Sequence, residues 1–227
     1  MTILVLAEQR DGILKKASFE ATRAAASLAA QLGASVTALL IGGTADAAAS
    51  LGGYGASKVL HVTDERLALY ANSAFTTVAA EAAMKESADV VLLPATSMGK
   101  DLAPRLAVRL DAAVAPDVTA LTVEGGDIIA QRPIYAGKAV ESIRVTTARK
   151  VFTLRPNVFT AGQPDGNAAA VEPFAPALSE SDLLTRATST SIASGKLDVA
   201  EATVIVSGGR GLQGPEHWPL LENLANA

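Results

Sequence analysis

The sequence predicts an α/β fold in three layers, with helices on both faces of a mostly parallel sheet. Apolar residues make up 49% of the chain, but aromatic residues only 4%, so the core must consist mainly of Ala, Val, Leu and Ile. Such a composition is typical of buried sheets covered by helices. Strand-like and helix-like patterns also alternate through the first hundred residues, which indicates parallel strands joined by crossover helices.

The alternation can be followed element by element. Short apolar runs predict strands over residues 3–7, 36–41, 59–62 and 90–94. Between them, Ala and Leu recur at helical spacing, and helices are predicted over residues 15–32, 45–51 and 67–86. Gly33 follows the first helix and is a natural stop for it.

The alternation of strands and helices ends near residue 118, and shorter β-rich runs then follow one another. Strands are predicted over residues 118–123, 128–133, 142–147 and 151–154, with a hairpin turn at 124–127. Consecutive short strands joined by tight turns pair in antiparallel fashion. We therefore expect some antiparallel strands in addition to the parallel sheet.

Composition divides the chain into a first domain at 1–156, a connector at 157–200 and the start of a second, Rossmann-like domain at 201–227. The connector is rich in Pro, Ser, Thr, Gly and Ala and is expected to lie along the surface, with a short helical turn at 178–184. After it, a strand is predicted at 203–206, a glycine turn at 207–211 and a helix from Pro215 onward.

Charge and composition exclude several classes of function. The net charge of −4 comes from 19 basic and 23 acidic residues without a basic stripe, so a nucleic-acid partner is not expected. No apolar run approaches the roughly 20 residues that span a bilayer, and the first residues lack the features of a secretory signal. The chain has no cysteine and only two histidines, and no nucleophile stands beside a base. These observations predict a cytoplasmic protein with no metal site and no hydrolytic activity.

The glycine segment at 206–214 is the sharpest motif. Gly209, Gly211 and Gly214 satisfy the spacing G-x-G-x-x-G after a predicted strand and before a predicted helix. Glycines there let the backbone approach a pyrophosphate, and Arg210 adds a positive charge with forked donors. The alternative is a turn that merely connects two elements. A complete dinucleotide unit needs about 30 residues and an acidic partner about 20 residues on, whereas residues 203–227 number 25, so an incomplete unit is expected.

Two further loops invite a functional interpretation and also have a structural one. Residues 94–101 follow a strand at the edge where ligands of α/β sheets bind, but the loop lacks the leading Gly of a phosphate loop and has Asp101 where a hydroxyl residue is needed. We interpret it as structural, with Asp101 and Pro104 beginning the next helix. In residues 42–55, two glycine pairs flank a helical stretch, which favours chain reversal.

Four segments together resemble the electron transfer flavoprotein α subunit, and the order of segments matches over essentially the whole chain. They are ILVLAEQRDGILKKASFEA at 3–21, LPATSMGKDLAPRLAVRLDAAVAPDVTAL at 93–121, RPIYAGKAVESIR at 132–144 and VSGGRGL at 206–212.

The resemblance implies an electron carrier, not an enzyme. In this family the amino-terminal domain contributes structure and contacts a β subunit, and the carboxy-terminal domain binds FAD. Members pass electrons from dehydrogenases, such as those acting on acyl-CoA, to a membrane-bound quinone oxidoreductase. The implied FAD-binding residues are Gly208, Gly209, Arg210 and Gly211.

Other flavin-contacting segments of the family would lie downstream of Ala227. A 25-residue unit buries too little surface to fold by itself, so this chain alone is not expected to retain FAD. Two alternatives stay open: an adenine-nucleotide-binding module within residues 1–156, and a cofactor-free assembly domain that docks a β subunit.

Overall fold

The computed structural model describes residues 1–190, 199, 202 and 204–227. Within it the chain divides into unit 1, Met1–Thr190, and unit 2, Ser191–Ala227. The strands are β1 (Thr2–Ala7), β2 (Gln9–Arg10), β3 (Ile13–Leu14), β4 (Ser35–Ile41), β5 (Lys58–Val62), β6 (Val90–Pro94), β7 (Ala113–Val118), β8 (Ala120–Glu124), β9 (Asp127–Ile134), β10 (Ala139–Arg144), β11 (Lys150–Leu154) and β12 (Ala170–Pro173). The helices are α1 (Lys16–Leu32), α2 (Ala45–Ser50), α3 (Asn72–Lys85), α4 (Ser97–Arg109) and α5 (Pro219–Ala225).

Seven strands of unit 1 form one sheet in the order β12-β5-β4-β1-β6-β11-β7, and every neighbouring pair is parallel. The predicted α/β fold with a helix-covered parallel sheet is therefore confirmed. The central strands are mostly apolar because helices cover both faces. Alternate residues of β1 show this: Ile3 and Val5 belong to the core cluster that includes α1, while Leu4 and Leu6 belong to the cluster that includes α3 and α4.

The first helix has the predicted extent, and Gly33 ends it in the left-handed conformation at φ 62°. The predicted helix at 67–86 is wrong in its first turn. A 3-10 turn at Glu65–Leu67, capped by the Asp64 side chain, is followed by a break, and α3 begins only at Asn72. Helix α3 is fixed at this end by a long-range contact, since the side chain of Asn72 donates to the carbonyl oxygen and to the carboxylate of Asp101.

The prediction that Asp101 and Pro104 begin a helix is also wrong. Helix α4 begins at Ser97, one turn earlier, and Pro104 lies inside it. Thr96 caps the helix, since its hydroxyl accepts a hydrogen bond from the amide of Gly99. Thr96, which was not considered as a cap in the prediction, therefore sets the start of this helix.

The antiparallel strands occur as expected, but in separate small sheets. Strands β8, β9 and β10 form a three-stranded sheet in the order β10-β9-β8, and β2 and β3 form a two-stranded ribbon. The predicted hairpin turn is confirmed: Gly125 and Gly126 have φ values of 59° and 89°, as a type I′ turn requires. The predicted strand at 118–123 is divided at Thr119, because β7 pairs with β11 in the parallel sheet whereas β8 pairs with β9.

Residues 157–190 contain more regular structure than the predicted connector. Strand β12 joins the edge of the parallel sheet beside β5, which the sequence did not predict. The short helical turn predicted at 178–184 is found as a 3-10 turn at Glu180–Leu183, where Ser179 and Asp182 form a capping box. The domain boundaries proposed from composition stay a prediction.

In unit 2 the predicted strand at 203–206 is not formed over residues 204–206, and Thr203 lies outside the described residues. The predicted helix is present as a 3-10 turn at Pro215–His217 followed by α5. No strand of this unit is described that could pair with residues 204–206, and a lone strand is not stable in water. Among the described residues of the whole chain, no helix has the length and hydrophobicity to cross a membrane.

Candidate cofactor site

The four predicted cofactor-binding residues of unit 2 are consecutive: Gly209, Arg210 and Gly211 lie in one turn, and Gly208 directly precedes it. Gly209 is extended, with φ −130° and ψ −158°, and precedes a 3-10 turn at Arg210–Leu212. The amide of Leu212 donates to the carbonyl oxygen of Gly209 at 3.0 Å, and that of Gln213 donates to Arg210 at 3.2 Å. The turn therefore runs from Gly209 to Gln213, later in the chain than the turn predicted at 207–211, and the predicted strand before it is absent over residues 204–206.

The glycines of this turn differ in what a side chain would meet. A Cβ on Gly208 would meet the terminal methyl groups of Leu212 and Leu221, so this glycine lies against those two side chains. Gly209 and Gly211 have nothing within 4 Å of a Cβ position. Their backbone is thus open to approach by a ligand, as the cofactor hypothesis requires.

Arg210 supplies the charge of the turn. Its side chain is exposed, and among the described residues it makes no hydrogen bond or ion pair. The third glycine of the motif has a different environment, because a Cβ on Gly214 would overlap the carboxylate of Glu216. A carboxylate beside Gly214 repels anions, so a phosphate group is better accommodated at Arg210 than at the start of the Pro215–His217 turn.

In unit 1, the loop at 94–101 already binds a carboxyl group of the protein. The hydroxyl of Thr96 donates to Oε1 of Glu8 at 2.5 Å while it caps α4. Glu8 is buried, with 4% of its surface exposed, and burial raises the pKa of its carboxyl group. This arrangement agrees with the structural interpretation of the loop, since Glu8 stands where an incoming phosphate would need to lie.

The space beside this loop is small. A cavity of about 70 Å³ lies near Glu8 and Gln9, and most of its lining is apolar: Leu6, Ala7, Ile41, Leu67, Ala68, Phe75 and Met98. Ligand pockets for small molecules usually measure about 300–1,000 Å³. The described residues therefore give no support to an adenine-nucleotide site at this edge of the sheet.

The glycine pairs at 42–55 reverse the chain, as interpreted from the sequence. Gly42 and Gly43 both have φ 75°, and the side chain of Gln9 donates to the carbonyl oxygen of Ile41 beside them. In the second glycine pair, Gly52 and Gly53, a Cβ on Gly52 would overlap the backbone of Ala168 and Ala169. These glycines permit close packing of the chain against itself.

An ion pair that was not predicted from the sequence lies at the carboxyl edge of the sheet. Asp117 lies in β7 with φ 60°, and Arg155 follows β11. The guanidinium of Arg155 donates to both carboxylate oxygens of Asp117, at 3.0 and 2.5 Å, and the amide of Asp117 donates to the hydroxyl of Thr153. The hydrogen bonds from Arg155 hold the pKa of the Asp117 carboxyl below its usual range.

We expect Asp117→Ala to destabilise unit 1 by about 1–2 kcal/mol, because alanine in the left-handed region costs about that much and the ion pair is lost as well. Asp117→Asn should cost about 1 kcal/mol or less, since Asn tolerates positive φ and loses only the charge. Urea unfolding of both variants at pH 7 tests this difference. Equal losses in the two variants would contradict the assignment of strain to this position.

The same pair predicts a pH dependence. The pKa of Asp117 is lower in the folded protein than in the unfolded chain. Its contribution to the free energy of unfolding is therefore fully present above the unfolded pKa of about 3.9, and it is lost as the pH falls through the pKa of the folded protein. The stability gap between the unmodified protein and Asp117→Asn should therefore narrow as the pH falls below about 4. Solvent screening keeps this stability gap small, since the side chain of Arg155 is 41% exposed and that of Asp117 is 31% exposed.

Comparison with known proteins gives a consistent result. Residues 3–179 match the family described as "Electron transfer flavoprotein domain". Protein FixB of Clostridium saccharobutylicum is 36% identical over 228 residues, covering 98% of this chain and 68% of that protein. The electron transfer flavoprotein subunit alpha of Bacillus subtilis is 34% identical over 225 residues, covering 98% and 68%. That of Paracoccus denitrificans is 34% identical over 229 residues, covering 100% and 70%.

Both the family match and the relatives extend over most of the chain, and the Paracoccus similarity includes the glycine segment of unit 2. The resemblance inferred from four sequence segments is thereby confirmed. The chain belongs to the electron transfer flavoprotein family, among its alpha subunits.

Proposed function

We propose that this chain is the electron-carrier subunit of a two-subunit flavoprotein, in which FAD is held by the complete α–β assembly. The observation that carries the proposal is the similarity to proteins named electron transfer flavoprotein subunit alpha over 98–100% of the chain. It includes the turn with Gly208, Gly209, Arg210 and Gly211. FAD supplies the one-electron steps, and the protein binds it and adjusts its electrostatic surroundings.

The chemistry of the turn fits an anionic cofactor. Gly209 and Gly211 leave the backbone accessible, and Arg210 offers forked donors that suit phosphate oxygens. The guanidinium has no competing carboxylate partner among the described residues. Gly208, directly before this turn, lies against the side chains of Leu212 and Leu221.

Unit 1 serves as the scaffold and contacts the β subunit. The proposed electron donors are flavin dehydrogenases, such as those acting on acyl-CoA, and the proposed electron acceptor is a quinone oxidoreductase. The proposed location of the protein is the cytoplasm. We do not expect the chain of 227 residues to retain FAD alone. Arg210, Gly209 and Gly211 are exposed, and α5 has only seven residues.

A cofactor-free assembly domain is the second candidate, favoured by the same exposure of the glycine turn. It predicts β-subunit binding without flavin and without any effect of Arg210→Ala on the assembly. The two candidates differ in one observable, the presence of bound flavin.

The test uses a chimeric α subunit in which residues 1–227 replace the matching part of the Paracoccus denitrificans protein. It is co-expressed with the β subunit that belongs to that protein. The proposed function predicts co-purification of the two subunits with a flavin absorption spectrum. Co-purification without flavin would support the assembly domain instead.

A further inference from the structure

An open groove of about 570 Å³ lies on unit 1 between α3, α4 and the 3-10 turn at Glu180–Leu183. Its volume falls within the range of small-molecule sites. Eight residues line it: Ser73, Thr76, Pro104, Arg105, Val108, Arg109, Ser181 and Asp182. We call it the α3–α4 groove. It belongs to none of the sites described above, so what it could bind is a separate question from the flavin role.

Two arginines, one helical turn apart on α4, face this groove. Arg105 donates from Nη1 to the hydroxyl of Ser73 at 3.2 Å and forms no ion pair among the residues that the structure describes. Its neighbour Asp101 attracts it electrostatically but accepts its hydrogen bonds from the side chains of Tyr70 and Asn72. Most donors of the Arg105 guanidinium are therefore available to a ligand.

Arg109 is more firmly held. Its Nη2 donates to the hydroxyl of Thr77 at 3.1 Å and lies 3.7 Å from Oδ1 of Asp182. The carboxylate of Asp182 accepts further hydrogen bonds from Thr77 and from the amide and hydroxyl of Ser179. The lining thus carries two positive charges and one negative charge, and the negative one is satisfied within the protein.

The groove also has an apolar part. Val108 is 82% exposed and lies between the two arginines in the chain, and the exposed ring of Pro104 is adjacent to Arg105. A ligand that joins an anionic group to a short aliphatic body could use both parts, the anion at Arg105 and the body on Val108.

We propose that the α3–α4 groove binds a small organic anion, a carboxylate or phosphate monoester with a short aliphatic chain, through Arg105. The anionic group accepts hydrogen bonds from the Arg105 guanidinium, supported by the charge of Arg109 and the hydroxyls of Ser73 and Ser181. The aliphatic chain covers Val108. Binding at this site requires neither FAD nor a β subunit.

The experiment titrates the isotope-labelled chain of 227 residues with octanoate, with octyl phosphate and with inorganic phosphate, and follows backbone amide shifts by NMR. We expect saturable shifts confined to residues 73–76, 104–109 and 181–182. Octanoate and octyl phosphate distinguish a carboxylate from a phosphate ligand. Inorganic phosphate, which lacks the aliphatic chain, should bind more weakly than octyl phosphate.

Three variants test the contacts. Arg105→Gln should weaken binding by about 10-fold or more, as expected for loss of hydrogen bonds to a charged group. Val108→Glu should also weaken it, because it adds a carboxylate to the groove. Arg144→Gln, an exposed arginine paired with Asp127 outside the groove, is the matched control and should change nothing. The proposal would be overturned if neither octanoate nor octyl phosphate caused saturable shifts. It would also be overturned if Arg105→Gln bound the ligand as tightly as the unmodified protein.

Discussion

Replacing Gly99 with alanine should destabilise unit 1 by about 3 kcal/mol, the upper part of the range for overpacked sites. In an exposed helix the same change would stabilise by about 1 kcal/mol, so the expected sign is reversed here. The reason is that a Cβ on Gly99 would overlap the carbonyl oxygen of Pro94, which ends β6. Neither α4 nor the central sheet can move without breaking the packing between them.

The measurement is the urea unfolding of the chain, with Ser97→Ala as the matched control in the same helical turn. Ser97 is exposed, and its replacement should change the free energy of unfolding by about 0.5 kcal/mol or less. If Gly99→Ala were as stable as Ser97→Ala, the close approach of α4 to the end of β6 would be refuted.

Arg210→Ala in the chimeric α subunit should lower FAD affinity by about 10-fold or more. A hydrogen bond to a charged group contributes about 1.5–3 kcal/mol, and a guanidinium can form two such bonds with a phosphate. Arg210→Lys should fall between the alanine variant and the unmodified protein, because lysine keeps the charge but loses the forked geometry.

For each variant, the measurement is the amount of flavin that stays bound after gel filtration. It is given by the ratio of the flavin absorbance to the protein absorbance. Arg186→Ala is the control, since this arginine is also exposed but lies outside the glycine turn. β-subunit binding should survive in every variant. Full flavin retention in Arg210→Ala would remove Arg210 from the proposed cofactor site.

Much of the fold could be predicted because the central strands are buried on both faces. Strands β1, β4 and β6 appear in the sequence as mostly apolar runs, and their bounds were predicted to within one residue. Strand β12 was missed because its sequence, AVEP, contains a glutamate and a proline and lies at the edge of the sheet. Its pairing with β5 depends on residues more than a hundred positions away, which no local pattern reveals.

The same distinction applies to the sites. The four residues of the glycine turn are consecutive, so a local motif was enough to place them together. The Asp117–Arg155 pair joins residues 38 positions apart, and the α3–α4 groove gathers residues from three separate segments. The signal available for Asp117 was the proline-aspartate step at 116–117, directly before the predicted β-rich run, since proline in a strand indicates an irregularity.

The central claim, that this chain carries electrons through FAD as an α subunit, is tested most directly by one absorption spectrum. The chimeric α subunit, co-purified with its β subunit, should show the visible bands of bound flavin, whereas residues 1–227 purified alone should be colourless. A folded, stably assembled chimera with no bound flavin would contradict the claim.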